Sequence, residues 1–324
     1  MFTKRTDLAV ESHELYRQSQ GIQEVPGVFV DTEKFKKINV TRVHVKNEEG
    51  QKAIGKPPGS YITLEIPELI HREQETFEDT ISVLSEEMKK LFKLKKDDPV
   101  LVVGLGNWQI TADSLGPKVI SSLLVTRHMF ELLPEEIEEG VRPVSALSPG
   151  VLGLTGIETG EIIKGVTDRV KPALIIAIDS LAARSLGRIS TTIQLADTGI
   201  TPGAGIGNHR QGLTLESLGV PVIAIGVPTV VDAATMANDT IDLIIDHLKK
   251  QTKNDQKFYE MLSSINHDEK YSLIKQAQGT ELIDLVVTPK EIDEIIEDIS
   301  EIIANAINIA LHESVTLGDL NKYH

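Results

Sequence analysis

Short apolar runs alternate with segments of helical period along most of the chain. Val40 to Val45 and Tyr61 to Ile66 alternate apolar and polar around a loop bearing Gly and Pro, which predicts a hairpin-like entry unit over about residues 38–68. Residues 12–37, before it, are polar and mixed. Glu75 to Leu94 places Phe77, Ile81, Leu84, Met88 and Leu91 on one helical face, and Asp98-Pro99 then breaks the pattern ahead of the apolar run Val100 to Val103. Ala173 to Ile178 and Val220 to Val227 are further apolar runs rich in β-branched residues and bounded by Gly, Pro or charge, as central parallel strands are. Leu115, Val119, Ile120, Leu123 and Leu124 predict a helix beginning near Asp113. Residues 249–280 read as a polar surface insertion. Thr288-Pro-Lys-Glu291 matches a capping box, followed by a stripe of Ile292, Ile295, Ile296, Ile299, Ile302 and Ile303. Strands alternating with helices predict an α/β protein: an open, mostly parallel three-layer α/β/α sheet with its site at the carboxyl ends of strands.

Composition narrows the function classes. The 324 residues are 40% hydrophobic, enough for a sizeable core. Lys and Arg number 33 against 48 Asp and Glu, a net charge of −15 that repels phosphate backbones, so no direct nucleic-acid partner is expected. The basic cluster Lys90 to Lys96 reads as a solvated helix end. There is no cysteine, hence no disulfide, thiolate metal site or cysteine nucleophile. No hydrophobic leader or long apolar run is present, and a cytoplasmic protein with no membrane partner is the expectation.

The stretch Val103 to Gly116 resembles a nucleotide loop, but Gln109 stands where Gly-x-Gly-x-x-Gly needs its third glycine. Asp113 within it is either the N-cap of the following helix or a site carboxylate. The sequence lacks Gly-x-Ser-x-Gly, His-Glu-x-x-His and the Gly-Lys-Ser/Thr phosphate loop, which removes the common hydrolase routes. His209, in a glycine-rich loop, reads as structural or substrate-positioning. A second aspartate, Asp179, closes the apolar run Ala173 to Ile178; it either opens a loop by bonding nearby amides or faces the same crevice as Asp113. Two such carboxylates can hold one proton between them, one polarising a carbonyl while the other activates water.

Together, Gly104-Leu-Gly-Asn107 with Asp113 and Gly116-Pro117, Ser148 to Thr159, Asp179-Ser-Leu-Ala-Ala-Arg184 and Pro202 to Asn208 resemble the germination (spore) protease family from about Arg5 to about Asp232. The resemblance implies a phosphorylase/hydrolase-like fold similar to that of the hydrogenase-maturation peptidases, and it assigns the family's two essential aspartates to Asp113 and Asp179. It implies no metal or cofactor, homotetramers, a spore-core location, and small acid-soluble spore proteins as substrates, cut after the first acid of sequences like Thr-Glu-Phe-Ala-Ser-Glu. Thr6-Asp-Leu-Ala-Val-Glu11 is a conservative copy of that sequence. A zymogen cut at Asp7-Leu8 is therefore expected, with residues 1–7 as propeptide and 8–324 as one catalytic domain.

The acids of such a substrate require basic partners, for which Arg184, Arg210 and Lys164 are candidates, each with an ordinary surface ion-pair reading. Gly150, Gly153 and Gly156, with Gly205 and Gly207, mark loops that let a peptide backbone approach closely. Ser180, beside Asp179, is the hydroxyl that would point instead to a covalent intermediate. Two other readings stand beside the protease: a nickel-dependent peptidase of the hydrogenase-maturation type, and a non-catalytic peptide-binding scaffold in which both aspartates are caps.

Overall fold

A computed structural model describes residues 6–201, 211–251 and 285–320. Among them, nine strands form one sheet. The N-terminal half of the sheet is antiparallel: β1 (Val28–Phe35), β2 (Ile38–Val45) and β3 (Gly59–Glu65) lie side by side, with helix α1 (Ala9–Gln20) before them and α2 (Glu48–Ile54) between β2 and β3. After α3 (Gln74–Leu91) come β4 (Val100–Gly104), the short helices α4 (Leu115–Ser121) and α5 (Arg127–Leu132), β5 (Val144–Leu147), α6 (Leu152–Thr155) and α7 (Thr159–Val170). Then follow β6 (Leu174–Ala183), β7 (Thr192–Ala196), α8 (Leu215–Leu218), β8 (Val222–Asp232), α9 (Ala233–Gln251), β9 (Val286–Val287) and α10 (Ile292–Leu311).

The strand order is β1-β2-β3-β7-β8-β6-β4-β5, with β9 on the end of β8. The expected parallel strands make up the β8-β6-β4-β5 half, where helical crossovers return the chain in the same direction. The other half runs antiparallel, because a two-residue turn joins β1 to β2 and β7 pairs antiparallel with both β3 and β8. The hairpin-like entry unit is thus a continuation of the one sheet.

Both faces are covered, as the central strands' almost wholly apolar sequences require. Val100, Val102, Ile176, Ile178, Ile223 and Ile225 point to one side, where α3, α4 and the isoleucine stripe of α10 bury them. Leu101, Val103, Ile175 and Ala177 point to the other, against Ile163 of α7 and Leu218 of α8. Farther along this second face Ala9 of α1 and Ile54 of α2 pack on Val43, Tyr61, Ala196 and Ala224. An ion pair ties the antiparallel half to the first face: Arg42 of β2 forks onto Glu87 of α3, Nε to Oε2 at 2.9 Å and Nη2 to Oε1 at 2.6 Å.

One local expectation is corrected and another is untested. The capping box at Thr288 to Glu291 does not form; the Thr288 hydroxyl donates instead to Thr229 O (2.8 Å), and Glu291 is the residue before α10. The polar insertion expected at 249–280 lies, beyond the end of α9, outside the described residues.

Candidate active site

The loop after β4 is shaped by its glycines. A Cβ on Gly104 would stand 2.2 Å from Gly116 O, so the start of α4 can close on the strand end only because that Cβ is missing. The chain then turns through Gly106, at φ 107°, and a 3₁₀ turn over Thr111–Asp113. Three hydrogen bonds fix that turn: Asn107 N to Asp113 O (2.9 Å), Asp113 N to Ile110 O (2.8 Å), and Thr229 Oγ1 of β8 to Ala112 O (2.7 Å). The N-cap position of α4 is held by Ser114, with no side-chain capping bond, so Asp113 stands one residue outside the position the N-cap reading gave it.

Asp179 does not end its strand. β6 continues through Ala183 along β8, with a bulge at Leu181/Ala182, whereas its other neighbour β4 stops at Gly104, opposite Ile178. Asp179 therefore sits at the first position of β6 past the end of β4, 7% exposed, and its Oδ1 accepts the Ser180 amide at 2.9 Å. Both aspartates line one cavity of about 480 Å³. Its trough is made of small residues on neighbouring strands, Ala196, Ala224 and Gly226.

The same cavity is lined by Asp7. The Asp7 amide donates to Ala182 O (3.3 Å), and its Oδ2 accepts the Ala182 amide (2.9 Å), so the segment is tied to β6 at its bulge. The carbonyl of Asp7 accepts from Lys56 Nζ (2.8 Å) and Gln194 Nε2 (3.3 Å). Leu8 is fully buried with Leu181 and Val10, and the Ala9 amide donates to Gln194 Oε1 (2.7 Å). Burial pushes the Asp7 carboxyl up from its ordinary range, against the Ala182 hydrogen bond and the charge of Lys56; burial likewise pushes the Lys56 ammonium down, against the charges of Asp7 and Glu11.

Residues 7–263 and 250–324 match the model of one protein family, germination protease. The chain is 51% identical to the germination protease of Clostridium acetobutylicum over 100% of this chain and 99% of that one. It is 52% identical to that of Caldanaerobacter subterraneus over 98% and 97%, and 42% identical to that of Bacillus subtilis over 99% and 96%. The chain belongs to the germination protease family. Among solved structures a [NiFe] hydrogenase maturation protease, HycI from Thermococcus kodakarensis, is similar at a TM-score of 0.34 and 18% identity, covering 68% of this chain and 98% of that one.

In this member of the germination protease family, the segment Thr6 to Glu11 is held at both of its acids. Glu11, 2% exposed, accepts the Arg184 amide (2.9 Å) and the Ser185 amide (3.0 Å), lies 3.5 Å from the Arg188 guanidinium, and takes a hydrogen bond from Thr6. Arg188 is itself clamped, two bonds of 2.8 Å to Glu14 of α1 and one of 2.8 Å to Glu65 of β3. Arg184 thus meets the acid through its backbone amide. Lys164 is spent on Asp168 one helical turn away, an exposed pair, which is its ordinary surface reading. Gly150, Gly153 and Gly156 do not line the cavity; the first and last, at φ of 72° and 71°, shape the turns around α6. Gly205, Gly207, His209 and Arg210 lie outside the described residues. Ser180 lines the cavity, and its Oγ is buried without a hydrogen-bond partner. Among the described residues no group of three or more His, Asp or Glu side chains is arranged to hold a metal ion, and no helix is long and apolar enough to cross a membrane. Lys56, Gln194 and Arg188 carried no signal in the sequence, since each stands alone in an unremarkable context.

Proposed function

We propose that this germination-family protease is an aspartate-dependent endopeptidase, made as a zymogen, that removes Met1 to Asp7 by cutting Asp7-Leu8. As a homotetramer in the spore core it then cuts small acid-soluble spore proteins at sites of the same pattern, beginning their degradation in germination. The observation that carries the proposal is that Asp7, the residue before the expected cut, lines the same cavity as Asp113 and Asp179.

In this reading one carboxylate of the pair takes a proton from a water molecule whose oxygen adds to the Asp7 carbonyl carbon. The other, holding the shared proton, delivers it to the Leu8 nitrogen as the C–N bond breaks. The products are a carboxylate on Asp7 and an amine on Leu8, with no group of the enzyme bonded covalently to the peptide.

The test is mass spectrometry of a Thr-Glu-Phe-Ala-Ser-Glu peptide incubated with chain lacking residues 1–7, beside its Asp113→Asn and Asp179→Asn forms, with and without chelator. Expected is cleavage after the first glutamate by the parent, unaffected by chelator. Each folded variant should lose turnover by a factor on the order of 10⁴ or more. Turnover persisting in either aspartate variant would remove the pair from the mechanism, and loss on chelation would demand a metal.

A further inference from the structure

The carbonyl oxygen of Asp7 is the atom that gains negative charge when water adds to that residue's carbonyl carbon. It receives two hydrogen bonds in the folded chain, 2.8 Å from Lys56 Nζ and 3.3 Å from Gln194 Nε2. The geometry points to Lys56 and Gln194 as the catalytic cradle for this oxyanion, a role that rests on the cut at Asp7-Leu8 proposed above.

The sheet registers the two sides of the reaction against each other. Asp179 of β6 pairs with Gly226 of β8, and Gly226 pairs with Gln194 of β7. The backbones of Asp179 and Gln194 therefore flank one position that has no side chain, each about 5 Å from it across the sheet. A Cβ on Gly226 would stand 2.3 Å from Leu181 Cδ1, so this position must stay empty for Leu181 to reach the buried cluster with Leu8. Gln194 spans the scissile bond: its Nε2 donates to Asp7 O before the bond, and its Oε1 accepts from Ala9 N after it. The amide plane is thus oriented by the peptide's own groups.

Lys56 follows α2, whose Ile54 packs with Ala196 of β7 and Ala224 of β8. Gly55, at φ 69°, ends α2 and turns the chain, and Pro57 O is held by the Tyr61 hydroxyl at 2.9 Å, which sets the backbone beside Lys56. The ammonium has lost water, and its electrostatic partners are Asp7 and Glu11. A cation in such a site gains most from a charge that appears only as the bond is attacked. As water adds, the carbonyl π pair moves onto the oxygen under these donors; as the intermediate collapses, the pair returns and Leu8 N departs with the delivered proton. No other reactant is consumed.

Gln194→Glu separates this role from simple docking, because the carboxylate still accepts from Ala9 N but has no N–H for Asp7 O. Lys56→Met removes the charged donor and keeps most of the apolar stem, while Lys56→Arg keeps a cation. Full-length chains are followed at neutral pH by mass spectrometry for first-order release of Met1 to Asp7, with melting temperature and hydrogen exchange of the Ala9 amide alongside. Expected are losses of about 10²- to 10³-fold for Lys56→Met and Gln194→Glu with Ala9 still protected, and a smaller loss for Lys56→Arg. Parent-like rates in both, equal rates for Lys56→Arg and Lys56→Met, or slowing matched by loss of Ala9 protection would overturn the cradle while the aspartate mechanism stands. A parent chain that never releases Met1 to Asp7 overturns both.

Discussion

A Cβ at Gly106 would lie 2.1 Å from the carbonyl oxygen of Asp113 and 3.1 Å from its Oδ1, at a φ of 107° that side chains rarely adopt. Gly106→Ala must therefore move the turn that carries Asp113. We expect a stability loss of about 1–3 kcal/mol, from the strained backbone, and a fall in kcat of roughly a hundredfold, the usual cost of displacing a reacting group by about 1 Å. Peptide turnover beside a thermal melt checks this; a variant that loses stability but keeps its kcat would show that Asp113 tolerates the shift. The glycine pattern was legible in the sequence as a loop, and its resemblance to a nucleotide fingerprint misleads because the same physics, a backbone closing on a strand end, serves either purpose. Asp179's place on the cavity was legible as a carboxylate following the apolar run Ala173 to Ile178, although β6 runs on past it to Ala183. Lys56 and Gln194 were not, since their meaning depends on where the Asp7 carbonyl falls.

Elements whose burial is one-sided or complete were readable, and those whose burial is irregular were not. The periodic α3 and α10 and the strands β2, β3, β4, β6 and β8 appear where the pattern predicts them. β1 escaped because most of it faces solvent, Phe29 included at 52% exposure, and β7 because two of its buried positions are Thr192 and Gln194. The end of α10 illustrates a polar fixture no periodicity reveals. Buried Arg142 caps the helix by donating from Nε to Leu311 O (2.5 Å), reaches Lys95 O (3.1 Å), and gives its backbone amide to His312 Nδ1 (3.3 Å). His312 is 1% exposed; burial, with the Arg142 guanidinium beside it, pushes its pKa down to about 4 from 6.5. The imidazole thus stays neutral in the fold while the unfolded chain takes up a proton, and stability present above pH 6.5 is lost as pH falls toward 4. Between pH 7 and pH 5 the loss from this one group is about 2 kcal/mol. Urea unfolding at the two pH values should show that slope diminished in His312→Gln; an unchanged slope would assign the acid sensitivity elsewhere.

At the scale of the whole molecule, a chain of net charge −15 holds two acids of its own N-terminal segment in a cleft. The overall field opposes this, so the binding is local and made from dipoles as much as charges: the Ala182 amide and Lys56 for Asp7, the Arg184 and Ser185 amides and Arg188 for Glu11. The spacing of the two acids, with Leu8 filling a buried apolar site between them, is a ruler laid along the end of β6. A peptide taken from solution by the same cleft must present acids at the same spacing and an apolar residue after the first. Replacing the final glutamate of Thr-Glu-Phe-Ala-Ser-Glu by glutamine removes a charge-assisted acceptor worth about 1.5–3 kcal/mol, so kcat/KM should fall by roughly ten- to a hundredfold. The same change in the chain, Glu11→Gln, should slow release of its first seven residues by a comparable factor if both acids meet the same contacts. Parallel losses in the peptide and in the chain would mean that self-cleavage and substrate cleavage share one cleft. A loss in the chain alone would mean that Glu11 is held for folding, and that external substrates are read by other residues.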